Sequence, residues 1–522
     1  MGHLRTIFYC LRLRHNEKLS AEAIASKQAD DLRRLVRYAK EHSPYYRQLY
    51  EEVDPEAADF SLEKLPTTTK AELMNHFDSV VTDPRLKMDA IMDWTRDPGQ
   101  VGQWYLKRYV PTLTSGTTGA PGLFVFDRRE WDWIQALSVT RGIRFKPSFF
   151  KFFAHAFRIL VRKVRVALVS VLNGHFITYV LFRMTPRMGR LVSRFTFLSV
   201  VDPLPRLVER LNRLQPNLLH CYPTMVEVLA FEQMEGRLRI KPWVISSSSE
   251  PLTRRAREII ESAFPDSPLF ETYGTSEGVA LASECHLHRG LHINTDTFIL
   301  EPVTQDGQPV EPGQSADKLF LTCLFAHTMP IIRYEVSDAT TPLEGACPCG
   351  LPFPLLKVQG RTDDTFWVRD GQGQPVALPP IPFEALFLNV QGLVQYQLVQ
   401  EERDLFRIRF RARTNVDASL VAEEIRQRMR DYLSDKGLGE RIELQIEAVD
   451  EIQRDPVSGK IRQIQSKVEQ LYIPGTPLAD RRSGDERRAR DLEDDLAAEK
   501  RRRLSRRERD RDDSDEGGEE TT

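Results

Sequence analysis

The chain has 522 residues and a formal net charge of −2, from 73 lysines and arginines against 75 aspartates and glutamates. This length exceeds what one hydrophobic core fills, so two or more domains are expected and a lone binding module is not. The balanced charge argues against nucleic-acid binding, which normally shows as a strongly basic domain or stripe. We therefore expect a small molecule as the main partner.

The cysteines and the N-terminus indicate a reducing compartment. Six cysteines in a chain of this length form no disulfide framework, and Cys347 and Cys349 make a C-x-C pair typical of a metal site or of reduced thiols. Arg5, Arg12 and Arg14 interrupt every short apolar run near the N-terminus, so no signal peptide is predicted. A cytoplasmic protein is the expectation.

The N-terminal part predicts helices first and then an α/β domain. Apolar residues recur at helical spacing over 20–52, which indicates amphipathic helices, and 65–70 has the pattern of a turn and helix cap. Strands are then predicted over 123–126, 243–246 and 319–324, and helices over 204–214 and 253–263. This alternation favours an α/β domain.

Segment 149–184 combines apolar and aromatic residues with four basic residues between 158 and 165. Two interpretations are open: buried helices of a large domain, or a segment that rests on a membrane surface. A membrane-spanning helix is not predicted, because the polar residues at 173–175 interrupt an apolar run that is already short.

The sequence changes character after residue 360. Strands over 394–400, 405–412 and 442–449 and a helix over 418–433 predict a compact α+β unit. We therefore predict a large N-terminal domain over 1–358, a hinge over 359–364, a small mobile domain over 365–472 and a charged tail over 473–522. The tail has too few apolar residues to offset its ordering entropy, so it is expected to be disordered.

The most informative motif is a run of hydroxyl and glycine residues at 113–122. It contains Thr114, Ser115, Gly116, Thr117, Thr118 and Gly119. The N–H groups and hydroxyls of such a loop can surround the phosphates of a nucleotide. It is not a Walker A loop, since no Gly-Lys-Ser/Thr follows at the required spacing. Taken alone, the same run is also typical of a plain surface loop.

Four further motifs follow in order at 273–277, 333–338, 360–364 and 458–462. With these five motifs the chain resembles the adenylate-forming superfamily of acyl-CoA and aryl-CoA ligases, most closely the phenylacetate-CoA ligase branch and its capsule-biosynthesis-like relatives. The resemblance spans roughly 32–468. It implies a large multi-subdomain adenylation domain with a small mobile lid, and ATP- and Mg²⁺-dependent formation of an acyl- or aryl-adenylate that is passed to coenzyme A.

The resemblance also implies a role for each residue of the motifs. The phosphates would be bound by Thr114, Ser115, Thr117 and Thr118, in a loop made flexible by Gly116 and Gly119. At the second motif, Tyr273 would stack on adenine, Ser276 would contact the α-phosphate and Glu277 would hold Mg²⁺. Gly274 and Thr275 of the same motif would also belong to the cofactor-binding site. Asp338 would accept hydrogen bonds from the ribose hydroxyls, and Arg361 would support the same sugar. Each residue taken singly also has an ordinary structural explanation.

Lys460 is the sharpest catalytic prediction. A cation that reaches the carboxylate and the α-phosphate stabilises charge where it develops in the transition state. The resemblance implies that Asp363 is the hinge about which the small domain turns, so that one site serves both half-reactions. Two departures stand out: Ala120 occupies a place where many relatives have lysine, and 370–375 replaces their glycine-rich run. The second departure leaves the acceptor thiol open.

A second constellation consists of Cys285, His292, Cys347 and Cys349. Three thiolates and one imidazole suit a tetrahedral structural zinc site. His286 or His288 could take the place of His292. Ordinary reduced core cysteines are the alternative.

The substrate pocket is indicated by position alone. In the family the acid lies before the adenine motif, which implies His220, Tyr222 and Ser248 as lining residues. Three hypotheses remain open: a coenzyme A ligase, an enzyme that stops at acyl-AMP or loads a carrier protein, and a noncatalytic nucleotide-binding scaffold. A peripheral membrane contact and a homodimer are further expectations, alongside the small-molecule carboxylic acid.

Overall fold

A computed structural model describes residues 2–114, 122–142, 163–172, 174–200, 202–361, 366–373, 375–378, 383, 386, 387, 390–454 and 461–468. The chain starts with three helices, α1 (Gly2–Asn16), α2 (Ala21–His42) and α3 (Pro44–Leu49). Ser20 caps α2 by accepting a hydrogen bond from the Ala23 N–H, and the buried face of α2 includes Leu32, Leu35 and Val36. The helices expected over 20–52 are therefore confirmed.

Three short helices follow: α4 (Lys70–Asn75), α5 (Phe77–Val80) and α6 (Met88–Thr95). Thr69 and Glu72 form a capping box at the start of α4, as the sequence over 65–70 predicts. A hairpin of β1 (Val110–Leu113) and β2 (Leu123–Phe126) then leads into α7 (Arg128–Arg141).

The central sheet begins with five parallel strands in the order β4-β3-β5-β6-β7. They are β3 (Val164–Ser170), β4 (Ser193–Ser199), β5 (Leu218–Cys221), β6 (Val244–Ser248) and β7 (Leu269–Tyr273). The helices between them are α8 (Ile177–Arg183), α9 (Arg187–Val192), α10 (Leu204–Leu214), α11 (Pro223–Met234) and α12 (Arg254–Ala263). The alternating pattern of the sequence thus gives the predicted α/β domain.

Four antiparallel strands extend this sheet to nine, in the order β7-β8-β9-β14-β13. They are β8 (Ala282–Glu284), β9 (Leu291–Ile293), β13 (Asp338–Pro342) and β14 (Leu355–Arg361). A separate sheet has the order β10-β11-β12, from β10 (Phe298–Val303), β11 (Lys318–Cys323) and β12 (Tyr334–Val336). Strands β7 and β13, which carry motifs far apart in sequence, therefore belong to one sheet.

The C-terminal part has a core of its own, built on Phe366, Phe383, Phe406 and Met429 with their neighbours. A hairpin of β15 (Phe366–Arg369) and β16 (Pro375–Leu378) precedes a sheet in the order β19-β18-β17-β20. Its elements are β17 (Leu393–Glu402), β18 (Leu405–Ala412), α13 (Ala418–Asp435), β19 (Glu443–Ala448) and β20 (Ile464–Ser466). The predicted strand, strand, helix, strand order is confirmed.

The structure of segment 149–184 differs from one expectation of the sequence analysis. The interpretation as buried helices is wrong over 164–170, where the chain forms the parallel strand β3 between β4 and β5. Its buried run from Val166 to Ser170 is apolar on both faces, as a central parallel strand requires, and periodicity alone does not separate that pattern from a buried helix. Residues 149–162 lie outside the described residues.

Candidate active site

The phosphate-loop motif begins where the β1–β2 hairpin opens. The Thr114 N–H donates to the Gly122 carbonyl at 2.9 Å, and the Gly122 N–H donates to Thr114 Oγ1 at 2.7 Å, so the loop 115–121 is closed at its base. Ser115, Gly116, Thr117, Thr118 and Gly119 lie outside the described residues.

Lys70 lies at the base of the same loop. A Cβ atom at Gly122 would come within 3.1 Å of Lys70 Cε and 3.3 Å of Thr114 Oγ1, so the lysine side chain passes directly over the hairpin. The sequence shows Lys70 only as the first residue of a capped helix. Its place beside the loop follows from tertiary packing, which no local pattern in the sequence signals.

Tyr273 and Asp338 join the second and third motifs. Tyr273 is the last residue of β7 and Asp338 is the first of β13, and the Tyr273 hydroxyl donates to Asp338 Oδ2 at 2.6 Å. Asp338 also pairs in register with Arg361 of β14, whose side chain is not described. The structure therefore brings the predicted adenine and ribose residues together at one edge of the sheet.

Gly274 makes a close backbone approach in the turn after β7. A Cβ atom at this position would lie 1.6 Å from the Val279 carbonyl oxygen, so only glycine fits. The Val279 N–H donates to the Thr275 carbonyl at 2.8 Å and closes the turn. This turn carries Ser276 and Glu277 back over the end of the sheet.

Glu277 is a buried carboxylate with 7% of its surface exposed. Burial raises its pKa, the neighbouring Tyr334 side chain partly opposes that rise, and the charge of Asp338 adds to it. Two carboxylates close enough to interact, one of them desolvated, form an environment that a divalent cation stabilises. The residues present therefore fit Mg²⁺ at Glu277.

The predicted acid-pocket residues lie at the carboxyl ends of neighbouring parallel strands. His220 lies between Ser246 Oγ, at 3.1 Å from Nδ1, and Ser248 Oγ, at 3.2 Å from Nε2. Burial lowers the pKa of His220 to about 4, so the ring is neutral at physiological pH. The Tyr222 hydroxyl instead lies 2.9 Å from Ser170 Oγ, and of the three predicted residues His220 and Ser248 contact each other directly.

The C-terminal part, which begins at Phe366, contacts the rest of the chain through arginines. Arg255 of α12 forms a buried ion pair with Glu227 of α11 and donates to the carbonyls of Leu393, at 2.7 Å, and Val394, at 3.3 Å. From the C-terminal part, Arg413 lies over the Phe231 ring.

Arg454 belongs to the same interface. Its guanidinium lies 3.9 Å from Met225 Sδ, and the charge of Glu250 acts on it. Burial lowers the pKa of Arg454, while Glu250 partly opposes that effect. Glu250 also accepts from both the N–H and the hydroxyl of Thr224 at the start of α11. The segment that follows, with Lys460, lies outside the described residues, as does Asp363.

A second site lies beside β9, whose middle residue is His292. The ligand atoms of Cys285, His292, Cys347 and Cys349 all lie within 4.8 Å of one another. Cys285 Sγ is 3.8 Å from Cys347 Sγ, and Cys349 Sγ is 3.4 Å from His292 Nε2. The alternatives to His292 are not in this cluster: the His288 ring faces Glu284 at 3.2 Å, and His286 is exposed.

The chain matches no protein-family model. It is 25% identical over 402 residues to the phenylacetate-coenzyme A ligase of Thermus thermophilus, and the match covers 73% of this chain and 79% of that relative. The phenylacetate-coenzyme A ligase of Aromatoleum evansii is 25% identical over 410 residues, with 74% and 80% covered. A crystal structure of 2-hydroxyisobutyryl-CoA ligase in the postadenylation state, with 2-HIB-AMP, superposes with a TM-score of 0.64 at 20% identity over 87% of this chain and 91% of that one.

The fold of this chain is similar to that of a CoA ligase of known structure. In sequence, the chain is a homologue of the phenylacetate-coenzyme A ligases.

Proposed function

We propose that this protein activates a small carboxylic acid with ATP to form an acyl- or aryl-adenylate and then transfers the acyl group to coenzyme A. The observation that carries the proposal is the Tyr273–Asp338 hydrogen bond beside the buried Glu277, which joins two distant motifs at the edge of the sheet where ligands of α/β domains bind. The homology to phenylacetate-coenzyme A ligases supports the same activity.

In the first half-reaction a carboxylate oxygen attacks the α-phosphorus of ATP and pyrophosphate leaves. Thr114 would bind the triphosphate with the loop that it closes, and Asp338 would accept hydrogen bonds from the ribose hydroxyls. Mg²⁺ held at Glu277 would offset the charge of the phosphates and of the leaving pyrophosphate. Lys460 would stabilise the charge that develops between the carboxylate and the α-phosphate.

In the second half-reaction a thiolate attacks the acyl carbon and AMP leaves. Asp363 would be the hinge that turns the lid domain, proposed over 365–472, between the two reactions. The neutral His220 and the hydroxyl of Ser248 offer hydrogen bonds but no charge to the acid pocket. This polarity suits an acid whose body is aryl or otherwise apolar.

The second candidate function is transfer to a carrier protein, or release at the acyl-AMP stage. It is favoured by residues 370–373, which lie in the turn of the β15–β16 hairpin where relatives have a glycine-rich run. A noncatalytic scaffold is disfavoured by the retention of both Glu277 and Lys460.

The test is pyrophosphate release from MgATP against a panel of aryl and fatty acids, with and without coenzyme A. We expect acid-dependent release, stimulated by coenzyme A and lost in Lys460→Ala while ATP binding persists. Release without coenzyme A stimulation would favour the carrier or acyl-AMP alternative. If no acid of the panel causes pyrophosphate release although ATP still binds, the noncatalytic scaffold would be favoured.

We also propose that the cluster of Cys285, His292, Cys347 and Cys349 beside β9 holds a structural zinc ion. Tetrahedral zinc with Zn–S bonds of about 2.3 Å and Zn–N bonds of about 2.0 Å places its sulfurs about 3.8 Å apart and sulfur and nitrogen about 3.5 Å apart. The observed separations are 3.8 Å and 3.4 Å. His292 Nδ1 lies 3.0 Å from the Phe353 carbonyl, which leaves Nε2 to face the thiols.

Four protein ligands leave no position for a substrate, so the zinc ion would hold the β13–β14 connection onto β9 rather than take part in catalysis. Metal analysis of the purified protein tests this proposal: one zinc ion per chain is expected, and none in Cys347→Ser. A homodimer and a cytoplasmic location remain predictions.

A further inference from the structure

The first helix exposes an apolar stripe. Leu4, Ile7, Phe8 and Leu11 are 76%, 48%, 60% and 66% exposed, and their spacing puts them on one face of α1. No other described helix exposes four large apolar residues at this spacing.

The opposite face of α1 is firmly attached, so the stripe belongs to a folded element. Leu13 is fully buried, Arg5 Nε donates to Asp132 Oδ2 at 2.6 Å, and the Tyr9 and Trp133 rings meet edge to face with 5.0 Å between centroids. At its end, Asn16 donates to Asp296 at 2.6 Å. These contacts fix which face of the helix points outward.

The charge around the stripe has one sign. Helix α1 contains no aspartate or glutamate, and Arg12, Arg14 and His15 are exposed on it. The three carboxylates that contact α1 or its end are turned inward. Asp132 pairs with Arg5, and Glu17 pairs with Arg14 and Arg141. Asp296, which accepts from Asn16, is fully buried beside Arg141. An apolar face with arginines at its sides is the pattern of a helix that lies in a membrane interface.

The sequence that follows α7 is also apolar and basic in composition. Helix α7 runs alongside α1 and ends at Arg141, whose side chain donates to the Leu13 carbonyl at 3.0 Å. Residues 143–162, which follow, contain six phenylalanines and five lysines or arginines without any aspartate or glutamate. Those residues lie outside the described part of the chain.

From these observations we infer that the exposed stripe of α1 is a docking surface for an anionic lipid membrane. The charge favours lipid over a second copy of the chain, because a symmetric dimer would place the arginines of one helix against those of the other. Four side chains also offer less than the roughly 800 Å² that each partner buries in a stable protein interface. No described helix is long and apolar enough to cross a bilayer.

Vesicle co-sedimentation of the full chain tests the inference. We expect binding to vesicles that contain about 30% phosphatidylglycerol, weaker binding to phosphatidylcholine alone, and loss of most binding at about 0.5 M salt. Phe8→Ser/Leu11→Ser should weaken binding about tenfold, since it removes two of the four apolar anchors. The matched control is Leu420→Ser on α13, where a leucine is 68% exposed away from the basic residues of α1.

Thermal unfolding and sedimentation of the variants complete the test. The double variant should unfold at the same temperature as the wild type, because both side chains face solvent. Absence of wild-type binding to anionic vesicles, or equal binding by the double variant and the control, would overturn the inference. A wild-type dimer that becomes a monomer in the double variant would also overturn it, in favour of self-association.

Discussion

The buried pair of Arg141 and Asp296 gives a quantitative test of how the N-terminal helix is attached. Arg141 Nη2 donates to Asp296 Oδ2 at 2.8 Å and to the Leu13 carbonyl at 3.0 Å, while Nη1 donates to Asn294 Oδ1 at 3.2 Å. Both side chains of the ion pair are fully buried. Burial alone would raise the pKa of Asp296, but the charge and hydrogen bonds of Arg141 outweigh it, and the pKa is lowered.

Arg141→Met should therefore destabilise the large domain by about 3–5 kcal/mol, the usual result of leaving one buried charge without its partner. Asp296→Asn should cost a similar amount. The double variant should cost less than the sum of the two by about 2 kcal/mol or more, because it leaves neither charge unpaired. Urea unfolding followed by tryptophan fluorescence measures all three, and Trp131 and Trp133 lie on the helix concerned.

The pH dependence separates this explanation from a simple packing defect. In the wild type, the folded-state pKa of Asp296 lies below its unfolded value, so its contribution is present at neutral pH and is lost only as the pH falls through the folded-state pKa. In Arg141→Met, protonation of Asp296 relieves the buried charge, so the penalty should shrink as the pH is lowered from neutral. A penalty below about 1 kcal/mol, strict additivity, or no change with pH would refute the reasoning.

Three further predictions address the two sites and the domain interface. Tyr273→Phe should weaken AMP binding about tenfold, or roughly 1.4 kcal/mol, when binding is measured by calorimetry. The reason is that Asp338 loses the hydrogen bond from the Tyr273 hydroxyl. The control Tyr222→Phe loses only the contact with Ser170 and should bind AMP normally. Cys347→Ser, or a strong chelator, should lower the thermal unfolding temperature by several degrees but spare AMP affinity; an unchanged unfolding temperature would contradict the zinc site. Arg255→Met should slow adenylation more than it slows acyl transfer from supplied acyl-adenylate, because it removes the hydrogen bonds to the Leu393 and Val394 carbonyls. The control is Arg254→Met, since Arg254 pairs with Glu258 on the exposed side of the same helix. An equal loss of rate in both half-reactions would indicate a folding defect instead.

Local signals in the sequence predict several of the individual elements. The capping pattern at Thr69 and Glu72 and the strand, strand, helix, strand order after residue 390 are both present. They depend on neighbouring residues, which a sequence displays directly. Strand β3 was missed as a strand because a central parallel strand is apolar on both faces and has no alternation to reveal it.

Contacts between distant elements explain what the sequence could not predict. The motif resemblance selected Tyr273 and Asp338, but their hydrogen bond depends on how β7 and β13 share one sheet. Residue types alone predict the cluster of three cysteines and a histidine. In the structure the histidine of this cluster is His292, rather than His286 or His288, because of the register of β9 against β14. No local pattern in the sequence indicates that Lys70 lies beside the β1–β2 hairpin, or which face of α1 points outward. Both depend on which other elements pack against the helix concerned.

The contacts of the C-terminal part affect the lid motion proposed above. Arg255, Arg413 and Arg454 interact there with carbonyl groups, an aromatic ring and the charge of a carboxylate. Polar groups of this kind exchange one partner for water at little net cost, whereas an apolar interface would expose surface that resists separation. A lid attached in this way would separate and return without exposing a large apolar surface, and the salt concentration would set how long each contact lasts.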